Sequence, residues 1–228
     1  MKAIIFDCDG VIVDSEPTHL KAFQATLLEE GIPLTREEYD KTYLAMDDKG
    51  CFETILRTYQ RPVNNTVLKK LILRKKGLYA TISGESLVIY PGVVDFVRKA
   101  IGHYQLAVAS GAFRAEIKEA LALGGILSAF PVIVSAQDVK RGKPDPEAFL
   151  LALSRLNQLR PSFPPMAPSD CVVIEDSLHG VASARAAGMK CLAVTHSYSK
   201  QQLRGLADRV VDDLTEIEPK DLEKLTIQ

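Results

Sequence analysis

The stretch Ala3-Ile4-Ile5-Phe6-Asp7-Cys8-Asp9-Gly10-Val11-Ile12-Val13-Asp14-Ser15 decides how the 228-residue chain is read. Four apolar residues run uninterrupted into two acids one position apart, and Gly10 ends the run. Side chains i and i+2 of a strand lie on one side, so Asp7 and Asp9 at a strand's carboxyl end aim at one point. Like charges that close repel, and a divalent cation is the usual remedy. The carboxyl ends of strands are also where open α/β sheets take ligands. The same residues fit an Asp-Asp-Gly turn with two solvated carboxylates, so other segments have to discriminate.

A repeated pattern supplies the discrimination. Short apolar runs recur at Leu106 to Ala109, Val132 to Val134, Val172 to Ile174 and Leu192 to Val194. Runs that are apolar at every position read as parallel strands buried on both faces. Helical segments separate them: from Pro91-Gly92 to about Ile101, Phe113 to Leu123 before Gly124-Gly125, Pro146 to Asn157, and Leu178 to Ala187 before Gly188. Strand and helix in alternation predict an α/β fold with a doubly wound, Rossmann-like parallel sheet. Between Pro17 and Tyr90 the rhythm breaks and the sequence reads as entirely helical. Pro17 suits a first turn, Leu20, Phe23 and Leu27 form an apolar stripe closed by Gly31, and Thr35-x-x-Glu38 resembles a capping box. Phe52 to Tyr59 and Val67 to Tyr79 supply two further helices. The expected organisation is a core domain of residues 1–16 and 86–228 with a helical cap domain, 17–85, inserted after the first strand. Pro161 to Pro168 reads as a surface loop.

Composition excludes several classes of function. At 46% hydrophobic and 25% charged residues the chain is ordinary for a soluble globular protein. A formal net charge of -1 gives no basic footprint, so neither nucleic acid nor an anionic membrane is an expected partner. Cys8, Cys51, Cys171 and Cys191 show no C-x-x-C spacing, and a reduced intracellular protein is the simpler reading. The sequence starts on the first strand without a leader, and no apolar run approaches membrane-spanning length, so the expected location is cytoplasmic.

The other strand ends carry polar groups suited to one crevice. Ala109-Ser110-Gly111 offers a hydroxyl and backbone N–H groups at a helix start, an arrangement that binds anions and equally fits a capping turn. Gly142-Lys143-Pro144-Asp145 places a lysine in the loop before a helix, against an anion or in solvent. Glu175-Asp176-Ser177 follows a buried strand, as further oxygen ligands for a cation or as a helix cap. Taken together, a nucleophile, charge neutralisation and a metal are what phosphoryl transfer requires.

With these four motifs in order, Asp7-Cys8-Asp9-Gly10-Val11, Ala109-Ser110-Gly111, Gly142-Lys143-Pro144-Asp145 and Glu175-Asp176-Ser177, the chain resembles the haloacid dehalogenase-like superfamily over essentially its whole length. It is most similar to the helical-cap branch that contains β-phosphoglucomutase, phosphoglycolate phosphatase and sugar-phosphate phosphatases of the CbbY type. The resemblance implies an Mg²⁺-dependent phosphatase acting on a small-molecule phosphate ester through an aspartyl-phosphate. Asp7 is then the nucleophile and Asp9 the general acid and base. Asp7, the Asp9 backbone carbonyl and Asp176 ligate Mg²⁺, with Glu175 a ligand or one shell further out. Ser110, the Gly111 amide and Lys143 hold the transferring phosphoryl group. A monomer is the family default. A carbon–halogen displacement needs no acid for a leaving alcohol, so Asp9 argues against a dehalogenase proper. A phosphomutase and a non-catalytic phospho-acceptor or signalling module are the alternatives, and the helical insert and the D-x-D spacing argue against the signalling module.

In the cap, the resemblance places His19 where closure is coupled to Asp9, the alternative being a helix-surface histidine. Arg74-Lys75-Lys76 with Tyr79 matches a basic cap segment, in which Lys75 is the candidate for a second anionic group; a solvated basic face is the alternative. Mutase-like members carry a G-x-S-R pattern between about Leu44 and Phe52, whereas this chain reads Ala45-Met46-Asp47-Asp48-Lys49. An acid where a phosphate-binding arginine is expected favours the phosphatase, although Lys49 or Lys75 could restore the charge. His103, His179 and His196 show no ligand pairing and read as structural or surface residues.

Overall fold

A computed structural model describes residues 1–43, 46–83, 87–159 and 164–226. In chain order it contains β1 (Ala3–Phe6), β2 (Val13–Asp14), α1 (Glu16–Leu28), α2 (Arg36–Glu38), α3 (Asp48–Thr58), α4 (Asn65–Ile82), β3 (Val88–Ile89) and α5 (Val93–Ala100). There follow β4 (Gln105–Ala109), α6 (Arg114–Leu123), β5 (Val132–Val134), α7 (Glu147–Leu159), β6 (Cys171–Glu175), α8 (Leu178–Ala186), β7 (Lys190–Val194), α9 (Lys200–Leu203), β8 (Arg209–Val211) and α10 (Glu223–Thr226). The chain divides into two compact units, Met1–Asp14 with Ile89–Gln228, and Ser15–Val88. The sequence boundary at 85/86, Ala45 of the cap stretch and residues 161–163 of the proposed surface loop lie outside the described residues.

The first unit is built on a six-stranded sheet in the order β5-β4-β1-β6-β7-β8, every pair parallel. Continuous apolar strands form because both faces are covered. On one face Ala3, Ile5, Ala107, Ala109, Val173 and Ala193 pack against Phe149 and Leu156 of α7 and Val181 and Ala184 of α8. On the other, Phe6 makes edge contacts with Phe96 and Phe130, at centroid distances of 6.1 and 5.4 Å. Helices on both faces of a parallel sheet are the doubly wound architecture read from the sequence. β1 is central, and the chain proceeds from it to β4 on one side and later to β6 on the other, so the winding changes direction at β1. Phe6 lies opposite both Val108 and Ile174, which brings Asp7, Ala109 and Glu175 level at the carboxyl edge.

β8 was not read from the sequence. It is three residues long, sits at the sheet's edge and begins with a half-buried arginine, so it carries no continuous apolar signal. The interval from 17 to 90 is also not wholly helical, because it ends in β3. No helix among the described residues is long and apolar enough to cross a membrane.

The second unit is a helical bundle around Leu20, Phe23, Leu27, Tyr39, Phe52, Ile55 and Leu71. The Thr35 hydroxyl accepts the Glu38 N–H while the Glu38 carboxylate accepts the Thr35 N–H, the reciprocal cap expected from T-x-x-E. Inside the bundle, Lys75 of α4 is 1% exposed, and its ammonium donates to Asp48 Oδ1 of α3 at 2.5 Å. Nζ also lies 2.7 Å from Nδ1 of His19 and 4.5 Å above the Phe23 ring. A buried ion of this kind persists only when paired, so removing one partner alone leaves the other charge uncompensated. Lys75→Met is expected to destabilise the protein by about 2 kcal/mol or more, with Asp48→Leu on top recovering part of the loss. Urea unfolding of the two single variants and the double variant checks this coupling, and strictly additive losses would contradict it.

Candidate active site

At the carboxyl ends of β1 and β6 the carboxylates of Asp7, Glu175 and Asp176 each offer an oxygen within 4.8 Å of the others, all three buried. Two glycines make that crowding sterically possible. Gly10 has φ +75, a left-handed conformation, and a Cβ there would come 1.8 Å from Asp176 Oδ2. A Cβ at Gly180, in the first turn of α8, would come 1.7 Å from Glu175 Oε1. At both positions the side-chain volume is used by a carboxylate.

Lys143 threads between the acids. Its Nζ lies 2.7 Å from Asp7 Oδ1 and donates to Glu175 Oε1 at 2.5 Å. Glu175 Oε2 accepts the Asp176 N–H at 2.8 Å, the Ser177 N–H at 2.9 Å and the Ser177 hydroxyl at 3.0 Å. Both Glu175 oxygens are therefore committed. Asp7 Oδ1 differs: the ammonium approaches it outside hydrogen-bond alignment, and this buried oxygen has no hydrogen-bond donor. A buried carboxylate oxygen with an ion-pair partner but no aligned donor, beside two further acids, fits a hard divalent cation bound through Asp7 and Asp176, with Glu175 fixing Lys143 and the turn into α8.

The electrostatics agree with that division. Burial, reinforced by Glu175 and Asp9, outweighs Lys143 and lifts the Asp7 carboxyl to about 7. Burial and the neighbouring Glu175 and Asp7 hold Asp176 well above the usual carboxylate range. Burial acts against charge on Glu175 too, but Lys143 and the three donors prevail and its carboxyl titrates below its usual value. Burial opposes the Lys143 ammonium, and the flanking Asp7 and Glu175 outweigh it, raising its pKa.

The structure thus brings together Asp7, Lys143, Glu175 and Asp176. Ser110 is buried after β4, its N–H donating to Val134 O at 3.0 Å and its hydroxyl accepting the Ala112 N–H at 3.1 Å. Gly111 is exposed next to it, with open space where a Cβ would stand. Asp9 lies in the loop between β1 and β2, and its carboxylate is not part of the described acid cluster. His19 and Lys75 meet each other within the second unit, so Lys75 belongs to no solvated basic face. Two further residues had no signal in the sequence. The Ser197 hydroxyl donates to Asp176 Oδ2, and Nδ1 of His196 lies 2.7 Å from Gly10 O. His196, read from the sequence as structural or surface, is an isolated histidine 186 positions from its partner.

A parallel sheet whose central strand delivers a carboxylate to a half-buried lysine and two more acids defines a class, an α/β enzyme that handles an anionic group at its switch point. Residues 1–188 match the haloacid dehalogenase-like hydrolases, and the chain belongs to that family. It is 31% identical over 201 residues to a phosphorylated carbohydrates phosphatase of Thermotoga maritima, covering 86% of this chain and 87% of the relative. It is also 31% identical over 195 residues to the fructose-1-phosphate phosphatase YqaB of Escherichia coli, covering 84% and 95%. Among solved structures, CbbY of Rhodobacter sphaeroides in complex with xylulose 1,5-bisphosphate superposes with a TM-score of 0.81 at 27% identity, covering 95% of this chain and 96% of that one. The protein is a phosphatase of this family.

A raised carboxyl pKa has a direct consequence for stability. Asp7 goes from 3.8 in the unfolded chain to about 7 in the metal-free fold, so its contribution is complete below pH 3.8 and is lost as pH rises through 7. A bound cation takes over the proton's role. Mg²⁺ is therefore expected to raise the melting temperature more at pH 8 than at pH 5, measured against EDTA-treated protein. Equal shifts at both pH values would place the cation elsewhere.

Proposed function

We propose that the protein is an Mg²⁺-dependent phosphatase that hydrolyses a small phosphate monoester, of the sugar-phosphate or phosphoglycolate kind, through an aspartyl-phosphate on Asp7. The observation that carries the reading is Asp7 itself, a buried carboxylate at the end of the central strand whose Oδ1 is met by the Lys143 ammonium at 2.7 Å, outside hydrogen-bond alignment. In the first half-reaction an Asp7 oxygen forms a bond to phosphorus while the ester P–O bond breaks, and the Asp9 carboxyl gives its proton to the departing alkoxide. In the second, Asp9 as carboxylate takes a proton from water as that oxygen attacks phosphorus, and the Asp7–phosphorus bond breaks to release phosphate. Lys143, Ser110 and the Gly111 amide meet the charge on the phosphoryl oxygens. Mg²⁺, held by Asp7, Asp176 and the Asp9 carbonyl, supplies charge neutralisation when bound.

Residues 15–88 are proposed as the cap that selects the ester, with His19 and Lys75 in its polar centre. The location proposed is the cytoplasm and the working form a monomer. Phosphatase is preferred to phosphomutase because a mutase needs a cationic anchor for the distal phosphate of its bisphosphate intermediate. The two cations that could replace the missing arginine are engaged within their own unit, Lys75 with Asp48 at 2.5 Å and Lys49 with Glu53 at 3.8 Å.

Two experiments test the reading. Asp7→Asn is nearly isosteric but cannot attack phosphorus, so turnover of a phosphate monoester panel with Mg²⁺ is expected to fall by about 10⁴-fold or more, and Asp9→Asn by about 10²- to 10⁴-fold. Retained activity in Asp7→Asn protein free of deamidated contaminant would assign the nucleophile elsewhere; a metal-loaded wild type inert on the whole panel would favour a non-catalytic module. Separately, β-glucose 1-phosphate with a trace of the 1,6-bisphosphate is expected to give no isomerisation. Glucose 6-phosphate appearing faster than inorganic phosphate would make the protein a mutase.

A further inference from the structure

The Asp7–Val13 loop has to hold a left-handed Gly10 between two carboxylate-bearing segments, and beyond its start, where the Asp7 N–H donates to Ile174 O, its backbone is tied down from outside at Gly10 and Ile12. The Tyr90 N–H donates to Ile12 O at 3.0 Å. His196, two residues beyond the end of β7, reaches Gly10 O at 2.7 Å with Nδ1. A carbonyl oxygen can only accept, so Nδ1 carries the proton and Nε2 is the bare nitrogen of the neutral ring. The imidazole lies flat on Tyr90, centroids 3.7 Å apart and planes 8° apart, so the two tethers also brace each other. The residue after His196 is Ser197, which donates to Asp176 Oδ2. Adjacent side chains of one dipeptide thus hold the two pieces of the site that Gly10 allows into contact: the peptide following Asp9-Gly10, and Asp176.

We propose that His196 is a positioning residue for phosphoryl transfer, its Nδ1–H fixing the Gly10 carbonyl and thereby the backbone that carries Asp9 and its separation from Asp176. The inference rests on the phosphatase reading for its kinetic consequence, while the hydrogen bond itself is independent of it. A tether acting on the acid–base residue alters the reacting geometry more than substrate affinity. It is therefore expected to affect kcat rather than KM.

Three substitutions separate the donor from the ring. His196→Phe keeps the stack on Tyr90 and removes the N–H; His196→Ala removes both; His196→Asn offers an amide N–H near the Nδ1 position. On a phosphate monoester that the wild type turns over, His196→Phe and His196→Ala are expected to lower kcat by about ten- to a hundredfold with KM changed by less than about threefold. His196→Asn is expected to restore most of the loss. In nitrogen-15-labelled wild type, long-range proton–nitrogen correlation is expected to show a neutral ring protonated at Nδ1. Wild-type kcat in a folded His196→Phe protein, or failure of His196→Asn to recover activity beyond His196→Ala, would overturn the proposal. A ring protonated at Nε2 alone would overturn it without any assay, which keeps the test valid if the variants do not fold. A wild type with the Nδ1–H tautomer and no turnover would instead remove the phosphatase reading and leave the tether standing.

Discussion

Three carboxylates share a space of less than 5 Å across, withdrawn from water, and most of the core unit's local geometry answers to that constraint. Like charges in a low-dielectric setting are strongly unfavourable unless a cation is supplied or protons are retained. The fold does both in part. It inserts the Lys143 ammonium between Asp7 and Glu175, and it leaves Asp7 and Asp176 with raised affinities for a proton. Glu175 is treated differently, ringed by donors and kept charged. Environments that push neighbouring carboxyl groups apart in pKa assign them different work. Here Glu175 is held as a fixed counter-charge to Lys143, while Asp7 and Asp176 keep raised affinities for a proton, the division on which their proposed roles rest.

What forces the acids together is the sheet. Parallel pairing in register sets Asp7 and Glu175 level, and the reversal of winding at β1 puts them at the switch point where open α/β sheets take ligands. Glycine then supplies the last ångströms at Gly10 and Gly180, where any side chain would collide with a carboxylate.

The parts of this arrangement that follow from local pattern were legible in the sequence. Ala3–Phe6 and Val132–Val134 were read to their termini because a strand buried on both faces is apolar at every position. Asp7, Ser110, Lys143, Glu175 and Asp176 were read because each stands at the end of such a strand or in the loop that follows. β8 was missed for the converse reason: an edge strand of three residues is half exposed and has no such signature. Asp48 was recognised as a departure from a pattern, but its partnership with Lys75 joins α3 to α4 over 27 residues and no spacing rule reaches that far. His196 and Ser197 were invisible because their role depends on where β7 delivers the chain relative to Gly10, a property of topology alone.

The second unit presents a contrast in the use of charge. In the core, Lys143 faces two acids and compensates part of their charge, so an anion has a cation to approach and a metal has oxygens to bind. In the helical unit, Lys75 is matched by one acid, shares a hydrogen bond with His19 and lies over an aromatic ring, a fully satisfied arrangement. A satisfied pair attracts a second phosphate weakly, because any anion must compete with Asp48 for the same ammonium. The balance of charge inside that unit therefore leaves Lys75 committed to Asp48, which is the ground on which a phosphatase is proposed in preference to a mutase.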